Sequence, residues 1–229
     1  MKNLSLLFIL VFSIGIPAFA QEEEVPKLHE HQVAINATNF IQTLVSFNGS
    51  TFNNTPYDFQ YKYLYWPVGR KYGFGMRSGF GYQKSSFNQD QPNSNSTTKS
   101  EVTFLDTRIG AEFQYVLNKR WNFFAGWDLV YGKTIMNSSS TFIDFNNQIS
   151  LSETRDARER SGYGPMVGIQ FNINKRLALG TELSMYTVTE AGTRRSTNSS
   201  FPGSDQVMYT RFKTTVVQVP SFIYFIVRL

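Results

Sequence analysis

The stretch YDFQYKYLYW, from Tyr57 to Trp66, sets Tyr57, Phe59, Tyr61, Tyr63 and Tyr65 at every second place, with Asp58, Gln60 and Lys62 between them. Such alternation is the signature of a strand, whose successive side chains point to opposite faces. In a soluble sandwich a face of five aromatic rings needs a second layer to cover it. In lipid it needs no protein partner, and the charged face can turn to an enclosed interior.

The same alternation dominates the chain, with no helical period of any length. Three short basic turns punctuate it: VGRKYGFGMR at 68–77, LNKRWNFFAGWD at 117–128 and INKRLALGTE at 173–182. In each, two adjacent cations precede apolar residues at every second place. Four polar stretches rich in Asn, Ser, Thr and Gly (48–56, 85–100, 135–156 and 191–205) are expected as long loops. The strands expected between them lie at 32–47, 56–66, 72–84, 101–117, from Trp121, 157–173, 177–189 and 208–229, with the parity of the last unsettled around Pro220. Eight strands, three turns and four loops fit an all-β, eight-stranded antiparallel up-and-down transmembrane β-barrel with both termini on one side.

The N-terminus sets the expected compartment. Lys2, an apolar run over 4–16 and Ala18-Phe19-Ala20 read as a signal peptide over 1–20, cleaved before Gln21. A mobile periplasmic leader is expected over 21–31 and the barrel over 32–229. His29 and His31, the chain's two histidines, fall in that leader as solvated residues, and neither a metal nor another cofactor is expected. The absence of cysteine excludes disulfides and thiolate metal sites. Net charge is +5, or +4 without Lys2, and is evenly spread, which excludes nucleic acid as a partner. High aromatic content (16%) beside a negative mean hydropathy (−0.28) is what a chain alternating lipid-facing and water-facing residues shows.

The signal, the eight alternating segments, the aromatic residues beside the basic turns and the terminal run FIVRL over 225–229 together resemble the small outer-membrane β-barrel proteins of Gram-negative bacteria, of OmpA, OmpX or PorT-like type. The resemblance covers essentially the whole mature chain. It implies an outer-membrane, porin-like cell-envelope location. The partners it implies are outer-membrane lipids and lipopolysaccharide, the barrel-insertion machinery and, for some members, another envelope protein. Since the fold serves many functions, it names no activity.

Counting from the turns puts Arg77, Asp128 and Glu182 six, eight and six residues past Lys71, Arg120 and Arg176, at depths similar to Glu112 and Lys62. Eight strands enclose only enough room for side chains, so these five residues should form an ion-pair network, with Asp106 and Arg108 a layer above. The other reading of the same charges is a proton or ion path. Inward glycines make room for the long side chains, and Gly110→Ser is expected to cost less than Phe113→Arg on the lipid face. At the outer rim, Arg155, Arg158, Arg160, Arg194 and Arg195 either contact lipopolysaccharide phosphates or are neutralised by Glu153, Asp156, Glu159 and Glu190. The basic turn pairs either meet anionic head groups of the inner leaflet or are simply polar turn residues.

Three functions follow. The first is a non-enzymatic barrel with a structural, adhesive or complex-forming role exercised through extracellular loops. The second is a narrow pore or transport protein for small or apolar solutes. The third, a membrane-embedded enzyme, lacks a histidine base in the barrel proper, and the chain is read as no enzyme.

Overall fold

Antiparallel pairing of strands that follow one another in the chain builds all of the ring but its closure. The computed structural model describes residues 28–37, 57–91, 96–143, 149–199, 203, 205–218 and 223–229. The expected signal peptide, most of the leader, the upper part of the first strand, the polar stretch 48–56 and Pro220 lie outside the described residues. The strands are β1 (His29–Asn36), β2 (Phe59–Tyr65), β3 (Tyr72–Gln91), β4 (Ser96–Val116), β5 (Trp121–Ile143), β6 (Ile149–Asn172), β7 (Leu177–Asn198), β8 (Gln206–Gln218) and β9 (Tyr224–Arg228). β9 pairs with both β7 and β1 and closes the ring.

β8 and β9 are two pieces of one eighth stave, both paired with β7. Ser184 faces Gln218 while Gly180 faces Tyr224, so four residues along β7 correspond to six along the stave. The excess is two. An even excess leaves the faces unswapped, whereas an odd one would have turned Tyr224 and Ile226 outward. Both are buried.

The outside of the ring is apolar. On β5 the outward residues between Trp121 and Tyr131 are Phe123, Ala125, Trp127 and Leu129. Ten residues of strand span roughly 33 Å, or roughly 25 Å of height at a tilt of about 40°, the thickness of an outer-membrane apolar belt. Aromatic rings edge it on both sides: Tyr65, Tyr72, Tyr115 and Trp121 below, Tyr82, Tyr131 and Tyr163 above. The inside is polar, with Gln32, Gln60, Gln114 and Gln170 all fully buried. Polar interior and apolar exterior are the inverse of a soluble core, and define a transmembrane barrel.

The basic turns owe their shape to asparagine. Asn118 Oδ1 accepts hydrogen bonds from the backbone N–H of Arg120 (2.9 Å) and Trp121 (3.0 Å). Asn174 Oδ1 does the same for Arg176 and Leu177, both at 2.8 Å. The side chain imitates a backbone turn, which is why LNKR and INKR recur. The third turn has Gly69 at φ +69° instead, a conformation glycine adopts without a Cβ penalty.

Three of the four expected long loops are mainly strand. β3 pairs with β4 as far as Gln91 and Ser96, β5 with β6 as far as Ile143 and Ile149, and β7 with β8 as far as Ser196 and Gln206. Their Ser, Thr and Asn content marks a sheet wet on both faces, where ladder bonds satisfy the backbone without apolar side chains. β3 to β8 therefore continue beyond the upper aromatic edge, and β5 alone runs twelve residues past Tyr131.

Two further expectations are corrected. β1 begins at His29, so the leader ends earlier than expected and both histidines sit in the wall. Their Nδ1 atoms lie 2.7 Å from the hydroxyls of Tyr63 and Tyr61. Tyr57, expected on the lipid face, is buried, because β2 begins only at Phe59 and the bend at Asp58 turns the ring inward against Arg108.

Candidate functional site

The lumen holds its charges in three tiers. The middle tier is the most enclosed. Arg77 reaches Glu112 at 3.1 Å, Asp128 at 3.3 Å and Glu182 at 2.8 Å. Lys62 pairs with Glu112 at 2.8 Å and sits 4.0 Å from the centre of the Phe124 ring. Arg108 pairs closely with Glu182 and reaches Asp128 at 3.6 Å. Three cations thus meet three anions supplied by β2, β3, β4, β5 and β7. The set is neutral, as a group of buried charges must nearly be.

Arg108 belongs to this tier and not to a layer above. Its Cα is level with Gly79, but the guanidinium stem runs downward through the space left there; a Cβ on Gly79 would stand 2.8 Å from Arg108 Nε. Asp106 does lie higher, and its partner is Arg160 of β6. Tyr57 and Tyr186 complete the middle tier, one stacked 4.3 Å from the Arg108 guanidinium, the other donating its hydroxyl to Asp128 at 2.7 Å.

Glycine placement is strict here. A Cβ on Gly110 would collide with Asp128 Oδ1 and with the Trp127 carbonyl oxygen, and one on Gly132 with Asp106 and Arg160. The room that inward glycines leave is already filled, in part by backbone that cannot step aside, which narrows the gap expected between Gly110→Ser and Phe113→Arg.

A lower tier escaped the sequence reading. Glu30, expected in the leader, accepts from Trp66 Nε1 (3.0 Å) and Gln32 Nε2 (2.8 Å) and pairs with Arg228 Nε at 3.0 Å. Arg228 also donates to Asn172. One sequence signal was available, since Glu30, Gln32 and Arg228 share the even parity of the inward residues, but only ring closure brings residues 30 and 228 together.

The outer arginines split by parity. Arg158 and Arg160 face inward and are engaged, Arg158 with Asp156 (2.8 Å) and Glu190 (3.5 Å), Arg160 with Asp106. The bidentate hydrogen bonds from Arg158 hold the Asp156 carboxyl below its ordinary range. Arg194 shares this inward face. Arg155 and Arg195 face outward, directly opposite each other on β6 and β7. The five residues do not form one cluster.

No protein-family model and no curated protein sequence matches the chain. Among solved structures it is similar to CarO of Acinetobacter baumannii, with 12% identity and a TM-score of 0.37 over 87% of this chain and 95% of that one. It is similar also to Ail, the attachment invasion locus protein of Yersinia pestis, with 13% identity and a TM-score of 0.37 over 88% and 93%. A major outer membrane protein of Thermus thermophilus shares 10% identity and a TM-score of 0.42 over 89% and 100%. The eight-stave barrel stands on its own register.

Proposed function

We propose that this protein is a non-enzymatic barrel of the Gram-negative outer membrane which passes no solute and acts through its extracellular extension, in a structural, adhesive or complex-forming role. The observation that carries this reading is the neutral middle tier. Six charged side chains from five strands meet across the lumen, all of them nearly or fully closed to solvent. An open ion path needs charges that water can reach, and these are occupied with one another.

The extension supports the second half of the reading. Six strands, β3 to β8, continue past the upper aromatic edge, which is more sheet than a barrel needs to cross lipid. A paired ladder offers a firmer binding surface than loops would. The two histidines, the usual general bases, stand on the outward side of β1 at the opposite end, engaged with tyrosines.

Planar-bilayer recording tests the closed lumen. Purified protein should give no steady conductance of porin size. A large, stable channel that Arg77→Ala and Glu182→Ala leave unchanged would replace this reading with the pore or transport alternative.

A further inference from the structure

On the outward face of the extension, Arg155 and Arg195 are Cα partners across β6 and β7. Like charges placed directly opposite on neighbouring strands repel, and a sheet gains nothing from keeping them. Among the described residues Arg155 has no carboxylate within 4 Å. Arg195 has Asp205 at 3.1 Å, a pair with both side chains more than half exposed and so weakly held. The carboxylates nearest in register do not remove the repulsion: Glu101 is paired with Lys84 at 3.0 Å, and Glu153 lies one row away on the same face as Arg155.

The pair opens onto a groove of about 700 Å³, lined by Lys99, Glu101, Asn137, Glu153, Arg155 and Arg195 among others. Its height is set by the strand. Arg155 stands eight residues beyond Tyr163, the aromatic residue that ends the apolar belt on β6, which is roughly 26 Å of strand and roughly 20 Å above that edge at a tilt of about 40°. Side chains at that level and pointing outward face the material around the barrel, not its lumen. In an outer membrane that material is the sugar portion of lipopolysaccharide.

We propose that the outward Arg155–Arg195 pair binds phosphate or carboxylate groups on the sugar portion of the lipopolysaccharide surrounding the barrel. Two guanidinium forks on adjacent strands suit one such group, whose oxygens accept from both and replace their repulsion with shared attraction. Lys99 adds a further donor at the groove. The inward arginines take no part, since Arg158 and Arg160 are spent on Asp156, Glu190 and Asp106. This inference rests on the outer-membrane placement proposed above.

The test uses the full mature protein in nanodiscs, titrated with lipopolysaccharide and with the same material enzymatically stripped of phosphate. Arg155→Gln with Arg195→Gln should weaken binding of the phosphorylated form by at least about tenfold. Arg194→Gln, which removes the same charge from the opposite face, should leave it unchanged. Binding by the double variant equal to that of the wild type, or an equal loss in Arg194→Gln, overturns the site. Equal binding of the stripped form overturns phosphate as the group recognised. Competition by inorganic phosphate at concentrations matching the glycolipid overturns the glycolipid as ligand. Because the chain has no cysteine, Tyr209→Cys on the same face reports placement separately. Failure of an impermeant maleimide to label it on intact cells overturns the extracellular placement and with it the lipopolysaccharide assignment, whatever the purified protein binds.

Discussion

Arg77 Nη2 lies 2.8 Å from Glu182 Oε2, a hydrogen bond between residues 105 positions apart with the arginine side chain wholly closed to solvent. It spans the lumen from β3 to β7. Neither strand pairs with the other, so this contact joins opposite sides of the wall and not neighbours within it.

Arg77→Ala would leave three carboxylates facing two cations in a closed space. Removing one partner of a buried pair costs about 3–5 kcal/mol, since the remaining charge loses its counter-ion without regaining water. Urea unfolding of barrel reconstituted in lipid vesicles should show a loss of that size. Arg77→Lys should recover only part of it, because one ammonium cannot reach Glu112, Asp128 and Glu182 together as the guanidinium does. Wild-type stability in Arg77→Ala would mean that the middle tier is wet.

On the lipid face, Leu129→Arg is the sharpest single change. Leu129 is 59% exposed on the lipid face, inside the apolar belt and two residues short of Tyr131, so the new charge would meet hydrocarbon. The expected cost is roughly 2–4 kcal/mol, and Phe113→Arg should behave alike. The same titrations check both, and a cost below that of an arginine placed at Tyr82, further up the wall, would contradict the position of the belt.

Gly110→Ser should cost about 1–3 kcal/mol, comparable to the lipid-face changes, because the added atom meets Asp128 and the Trp127 carbonyl. Gly69→Ala offers a contrast. Nothing lies within 4 Å of a Cβ at Gly69, so any loss there reports only its positive φ. Unfolding midpoints of the two variants separate crowding from backbone strain.

Asn118→Ala and Asn174→Ala each remove two side-chain-to-backbone hydrogen bonds from an exposed turn, at an expected cost of about 1 kcal/mol. Asn118→Asp keeps the acceptor and should retain most of the stability.

Sequence alone determined the strand faces through the belt. Alternation of the kind seen at Phe59, Tyr61 and Tyr63 needs no long-range information, since lipid accepts any apolar side chain and Phe113, Trp127 and Leu129 require no specific partner. The number of staves followed from the same pattern and from the turn residues. Depth within a strand was nearly as legible, which is why Lys62, Arg77, Glu112, Asp128 and Glu182 could be grouped before their contacts were known. Tertiary structure decided what alternation does not encode. Ring closure joined Glu30 to Arg228, side-chain length drew Arg108 down into the middle tier while Asp106 stayed above with Arg160, and ladder pairing made strands of polar stretches that read as loops. It also separated Arg155 and Arg195 from Arg158, Arg160 and Arg194, because the register of β6 against β7 fixes which basic residues share a face and which of those stand opposite each other.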